Sequence, residues 1–259
     1  MRFFKLAATI SLLASSVLVQ GQDATPTPDP CVDLVHEFVQ WITSGTACTL
    51  HEEISLSFDA DYPHDLAQQS PFAGSVMLGY INQQRDAFWG NLGGDMLPEF
   101  FGSGPWTMDI NYETFHHSPS VVSVLFTTYA YTGGAHGGSY FRTFTFDLDN
   151  ESMYSLAGLF KMDLRPNEIL APIVRAKLQE TLTEFPDFIE SGTEPYPEGY
   201  PEVDNYANWV LTSDALVIYF PEYQVAPYVA GPQMVSIPLT DLADVLNPDV
   251  VCIPGTACP

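Results

Sequence analysis

Two stretches of this 259-residue chain carry side chains able to hold a ligand. The first is Tyr131-Thr132-Gly133-Gly134-Ala135-His136-Gly137-Gly138. Its glycines permit positive φ or close approach of another backbone, so the loop can form a ligand nest with His136 pointing into it. The plainer reading is a wide hairpin connection in which His136 hydrogen-bonds the turn. That reading is preferred, because no recognisable nucleophile or second ligand stands near His136 in sequence. The second stretch runs from Tyr219-Phe220-Pro221-Glu222-Tyr223 through Ala226-Pro227-Tyr228 to Gly231-Pro232. Prolines and tyrosines in a connection suit a rigid aromatic surface of the kind used at interfaces, with core-capping tyrosines as the plain alternative. Thr132, His136, Tyr223 and Tyr228 are therefore the candidate partner-binding residues.

Dedicated catalytic motifs are missing. The chain contains no G-x-S-x-G elbow, H-E-x-x-H zinc site, Gly-rich phosphate loop or C-x-x-C pair. His51-Glu52-Glu53-Ile54-Ser55 begins like the zinc motif, but Ser55 stands where the second His is required. His116-His117 can offer one metal ligand at a time, since neighbours on a strand face opposite ways; a polar strand end is the simpler reading. Carboxylates are so abundant that acid–base pairs arise by proximity alone, which is no evidence of glycosidase chemistry. The expectation is no catalytic residue, no metal and no cofactor.

The elements that must position these loops follow from the hydrophobic pattern. Val32, Val35, Phe38, Val39 and Ile42 have helical spacing, and residues 50–58 alternate as a strand would. Phe72, Val76, Tyr80 and Phe88 stripe a helix over 72–89. Trp106–Thr114, Val121–Tyr131 and Tyr140–Leu148 read as a meander of strands, with Met153–Leu156 after it. Ile169, Leu170, Ile173, Val174, Leu178, Leu182 and Phe185 predict the longest helix, its regular part starting near Pro172. Asn208–Leu211 and Ala215–Phe220 read as a hairpin, Gln233–Ile237 as a last strand and Leu239–Leu246 as a short helix. Strand runs with helices between them predict an α+β fold, a largely antiparallel sheet with helices packed on one face.

The chain ends set the compartment. Arg2 and Lys5 precede an apolar run from Leu6 to Val19 that is too short to span a bilayer comfortably, which predicts a signal peptide over 1–21. A Pro/Thr leader over 22–30 follows, and no later segment reads as a membrane span. The expected divisions are then a helix–strand–helix region over 31–101, a main domain over 102–247 and a cysteine-containing tail over 248–259. Losing Arg2 and Lys5 leaves six Lys and Arg against 32 Asp and Glu, a formal balance of −26. Such a charge excludes nucleic acid as a partner and attracts cations and cationic proteins; a solubility adaptation is the equal alternative. Cys31, Cys48, Cys252 and Cys258 predict two disulfides in an oxidising compartment. Local pairing, Cys31 with Cys48 and Cys252 with Cys258, is the simplest of the three connectivities; a Cys31–Cys252 tie between the ends is the runner-up.

Thr132-Gly133-Gly134-Ala135-His136-Gly137, Phe146-Asp147-Leu148, Leu156 with Leu159-Phe160, Asn208-Trp209-Val210-Leu211, Ala226-Pro227-Tyr228 and Gly231-Pro232 occur in this order. Together they resemble the RsiV-type extracellular domain, domain-of-unknown-function family 3298, from about Trp106 to Leu246. Residues from about Leu50 to Gly94 are similar, more loosely, to the region that often precedes it. The resemblance implies a free-standing secreted binding domain of the cell envelope or medium. Its ligand would be a lysozyme-like cationic protein or a cell-wall glycan, because related domains belong to a lysozyme-binding anti-sigma factor and a cell-wall deacetylase. The alternative is an enzyme or enzyme accessory acting on envelope glycans through the His136 loop. A carboxylate within hydrogen-bond reach of His136 in an open cleft would favour the enzyme, and a flat aromatic surface at Tyr223 and Tyr228 the binder.

Overall fold

The computed structural model describes residues 40–44, 47–53, 56–90, 106–196 and 204–255. The expected signal peptide, the leader and Cys31 lie outside them. Seven strands form the larger sheet in chain order: β1 (Gln40–Ser44), β2 (Ala47–Glu53), β3 (Leu56–Pro63), β4 (Trp106–His116), β5 (Val121–Tyr131), β6 (Gly138–Asp147) and β7 (Ser152–Met153). Every neighbouring pair is antiparallel except β3 and β4, where Leu56–Ala60 runs parallel to Trp106–Ile110. Parallel neighbours need a crossover. Here it contains α1 (His64–Gln69) and α2 (Pro71–Gly90).

Helix α2 covers one face of this sheet with Ala73, Met77, Ile81 and Phe88, which pack with Phe58, Ile110, Val124, Phe126 and Phe146. Phe72, Val76 and Tyr80 flank that buried row and are only partly covered. Tyr80 reaches Thr128 on β5 with a 3.0 Å hydroxyl–hydroxyl hydrogen bond.

A second, three-stranded sheet covers the opposite face. It holds β8 (Trp209–Leu211), β9 (Ala215–Phe220) and β10 (Gln233–Pro238) in the order β10-β9-β8, all antiparallel. Val210, Ala215 and Val217 pack on Leu125, Phe141 and Phe115 of the large sheet. Ser123 Oγ accepts from Leu211 N at 2.9 Å and Thr143 Oγ1 from Trp209 N at 3.0 Å, so two hydroxyls stitch the sheets together. Strand β5 is buried on both faces over Val121–Phe126 for this reason, and its sequence there is apolar at every position but Ser123 rather than alternating. The outer face of the small sheet, through Leu211, Leu216, Ile218, Phe220, Val235 and Ile237, packs with Leu170, Val174 and Leu178 of α3 (Pro166–Thr181) and Ile189 of α4 (Pro186–Gly192). The fold is α+β and mostly antiparallel, as expected, in four layers: helices, large sheet, small sheet, helices.

Some boundaries differ from the sequence reading. Residues 40–42, expected to end a helix, instead open β1 in register with β2, Ile42 opposite Thr49; Trp41, Ile42 and Thr43 are residues that suit a pleated surface. The rest of that expected helix lies outside the described residues. Helix α3 starts at Pro166 and carries Pro172 inside it. Pro166 loses nothing at the first helical position, and the apolar row Leu170, Ala171, Val174 and Leu178 holds the helix through the bond that Pro172 cannot make. Helix α2 is the longer of the two. Regular helical structure after β10 is a single 3-10 turn, Leu239–Leu242, because Leu246 is drawn into a bridge with Phe160 and Asn247 N bonds Leu159 O at 2.8 Å. Among the described residues no helix is long and apolar enough to cross a membrane.

Candidate functional site

The β5–β6 hairpin loop and the β9–β10 connection meet at one end of the two sheets. Gly133 and Gly134 have φ of 92° and 97°, which turns the hairpin in a way a side chain would oppose. At Gly137 a Cβ would lie 2.5 Å from the Tyr129 ring and 2.7 Å from Ala130 O, so only glycine lets that ring cross the strand. His136 directly precedes this glycine in the loop. Its Nδ1–H donates to Gly137 O at 2.8 Å, which leaves Nε2 as the acceptor. Tyr223 Oη faces that nitrogen at 3.4 Å, a long and weak hydrogen bond.

The β9–β10 connection is anchored from below. Val225 and Ala226 are buried in the small-sheet core. Gln224 Nε2 donates to Gly192 O at 2.9 Å and to Asn205 O at 3.0 Å. Gly192 ends α4, where any Cβ would overlap the Gln224 carbonyl. With residues 224–226 fixed inward, the tyrosines on either side face out. Tyr223 has φ of 69° and is 55% exposed, a bulky side chain held in the left-handed region at the surface. Tyr228 opens a 3-10 turn, Tyr228–Ala230, closed by Gly231 at φ 67°.

The rings converge. His136 stacks on Tyr228 with centroids 3.8 Å apart and planes 20° apart, and Tyr223 lies 5.8 Å from Tyr228. Beside them is an open cleft of about 210 Å³ whose walls include Thr132, His136, Ser139, Tyr140, Glu222 and Tyr223. Glu222 Oε2 accepts from Ser139 N at 3.0 Å and so clasps the start of β6 to the β9–β10 connection. Partial desolvation, then the field of Glu222 and the phenols of Tyr129 and Tyr223, pushes the Tyr228 hydroxyl above its ordinary pKa. It stays neutral and able to donate at physiological pH.

All four residues singled out in the sequence are thus at one place. Glu222, Ser139 and Tyr140 join them unannounced; the signal available for Glu222 was a carboxylate held between Pro221 and Tyr223 in an otherwise aromatic connection. Of the two features set against each other in the sequence, the aromatic surface is present, whereas the carboxylate in the cleft is bonded to Ser139 and not to His136. His136 is bonded to Gly137 and Tyr223, and the carboxylate to Ser139.

The paired histidines part as strand neighbours must. His116 lines a separate cleft with Pro63, Asp65 and Tyr112. His117 is buried, donates from Nδ1 to Thr212 O at 2.8 Å and accepts at Nε2 from Cys252 N at 2.9 Å. Its ring nitrogens are fully used in tying the C-terminal segment to the β8–β9 turn. Among the described residues no three His, Cys, Asp or Glu side chains group as a metal site would need. His51-Glu52-Glu53 lies on β2 rather than a helix. Cys252 is disulfide-bonded, and the expected pairings fall on residues outside the description.

Residues 157–240 match the family described as protein of unknown function DUF3298, and residues 51–139 match the family described as deacetylase PdaC. The DUF3298 match covers about a third of the chain. The DUF3298 match supplies Glu222, Tyr223 and Tyr228, the other supplies Thr132, His136 and Ser139, and the cleft lies where they meet. The chain is 28% identical over 142 residues to the peptidoglycan-N-acetylmuramic acid deacetylase PdaC of Bacillus subtilis, covering 54% of this chain and 29% of the deacetylase. It thus spans less than a third of that relative. It is 26% identical over 243 residues to esterase Rv3036c of Mycobacterium tuberculosis, covering 90% of this chain and 95% of the esterase. The DUF3298 fold itself recurs in a Pseudomonas aeruginosa PAO1 member, PA4972, at TM-score 0.56 and 15% identity over 84% of this chain and 97% of that one. A Bacteroides fragilis member, BF2082, matches at TM-score 0.51 and 16% identity over 81% and 94%.

Proposed function

We propose that this chain is a secreted, cell-wall-directed protein whose aromatic cleft holds envelope carbohydrate, in support of enzymes that modify the wall. The observation that carries this reading is the stacked and tilted set His136, Tyr228 and Tyr223 beside a shallow polar cleft. A sugar ring offers an apolar C–H face and a rim of hydroxyls. Rigid exposed rings match the face, and Glu222, Thr132 and the phenols match the rim. The similarity to a peptidoglycan deacetylase supports the same setting. Because the cleft is small, it accepts about one sugar ring at a time. Calorimetric titration with soluble peptidoglycan fragments tests the reading: binding is expected, and a Tyr223→Ala, Tyr228→Ala double variant should lose it with its melting curve unchanged. Binding that survives both substitutions would place the ligand elsewhere.

A second reading, ester hydrolysis, is favoured by one local feature together with the near full-length similarity to an esterase. The Gly137 carbonyl fixes His136 as the tautomer whose Nε2 can take a proton, and His136 lines the open cleft. Under this reading a p-nitrophenyl acetate assay would show turnover that His136→Ala abolishes; turnover equal in both proteins would dismiss it.

A further inference from the structure

We infer that the cleft selects amino sugars whose nitrogen is free and protonated over their N-acetylated counterparts. This rests on the carbohydrate reading above and adds to it the class of sugar. The group responsible is Glu222. Its Oε2 is held by Ser139 N, and among the described residues no Lys, Arg or His lies within ion-pair distance of the carboxylate. The walls around it are instead aromatic: Tyr140, Tyr223 and His136 share its cleft, and Tyr228 stacks behind His136. Gly138 keeps that wall close, since a Cβ there would stand 3.3 Å from Tyr140 Oη and 3.7 Å from Glu222 Oε2.

A fixed carboxylate among aromatic side chains is the chemistry that recognises an ammonium group. The carboxylate supplies the opposite charge, and the negative ring faces attract the same cation. Glu222 Oε1 carries no hydrogen bond among the described residues and is available to an N–H donor on the ligand. An N-acetyl group would bring a neutral amide and a methyl to the same point, stripping water from the carboxylate without returning a charge. Acidic sugars would meet the repulsion of Glu222 and of a chain with formal charge −24. The reaction that must supply such a ligand is hydrolytic removal of an N-acetyl group from the glycan.

The test compares a soluble β-1,4-linked glucosamine tetramer with its fully N-acetylated form, titrated into the secreted protein at physiological salt. The expected result is about tenfold or greater preference for the free amine. Glu222→Gln keeps an acceptor for Ser139 N and should bring the two affinities within about twofold by weakening only the glucosamine arm. Asp149→Asn, which removes an exposed carboxylate elsewhere, should leave the preference intact, separating recognition from general attraction to an acidic protein. Equal affinities in the unsubstituted protein, or a preference that persists in Glu222→Gln, would overturn the amine selectivity while leaving carbohydrate binding in place. Failure of both tetramers to bind would overturn the carbohydrate reading and this inference with it.

Discussion

Tyr223 is held against its own backbone preference, which the proposed glycan binding would explain. Holding a tyrosine at φ 69° costs on the order of 1 kcal/mol, and Val225 and Gln224 supply the packing and hydrogen bonds that enforce it. Tyr223→Gly should therefore melt no lower than the unsubstituted protein while binding glycan at least about tenfold more weakly, an outcome checked by calorimetry of the variant and a titration beside it. His117 carries a different prediction. Burial pushes its imidazole below the ordinary value of about 6.5, with the Thr212 carbonyl pulling the other way. The unfolded chain thus takes up this proton first as pH falls. The stability contributed by neutral His117 is complete above about pH 6.5 and is lost as pH drops toward the folded-state value. His117→Ala should melt lower at neutral pH by about 1–3 kcal/mol of stability, since Cys252 N–H loses its acceptor, and should lose less stability than the unsubstituted protein between neutral and mildly acid pH. Parallel melting curves of the two proteins against pH would contradict this role.

At the scale of elements, the cleft depends on two glycines that admit no substitute, Gly137 and Gly192. Gly192→Ala would drive a methyl into the Gln224 carbonyl and displace the connection that carries Glu222, Tyr223 and Tyr228. A loss of about 1–3 kcal/mol in a denaturant melt is expected, with weaker glycan binding in the protein that remains folded. Gly79→Ala is the control, because nothing lies within 4 Å of a Cβ there and the helix should gain slightly. What the sequence made legible follows the same lines. The strands β4, β5 and β6 were readable because β-branched and aromatic runs ended at glycine and proline clusters, and the four binding candidates because ring-bearing residues stood among those same clusters. Helix α4 went unread, since Pro186–Gly192 is too short to show a period. The role of Glu222 was hidden because its partner, Ser139 N, is 83 residues away and belongs to the backbone. Pro172 misled because a proline's local cost is visible in sequence and the burial that outweighs it is not.

The whole molecule is a strongly anionic body with its aromatic cleft at one end, and charge and cleft do separate work. Under the proposed reading, long-range attraction would bring a cationic partner to the surface, whereas the rings would give the short-range fit to a sugar. A lysozyme, the cationic partner implied by the family resemblance, is proposed to meet this surface first by charge. Its association, followed by surface binding, should fall steeply from low to physiological salt. Glycan binding through stacked rings should change far less over the same range, since apolar contact is not screened. The most direct test is chemical-shift mapping of isotope-labelled protein titrated with a soluble envelope-glycan fragment. Binding in the cleft predicts saturable shifts confined to Thr132–Ser139 and Glu222–Gly231. Shifts centred instead on the His117–Asp147 side of the sheets, or none at saturating glycan, would contradict it.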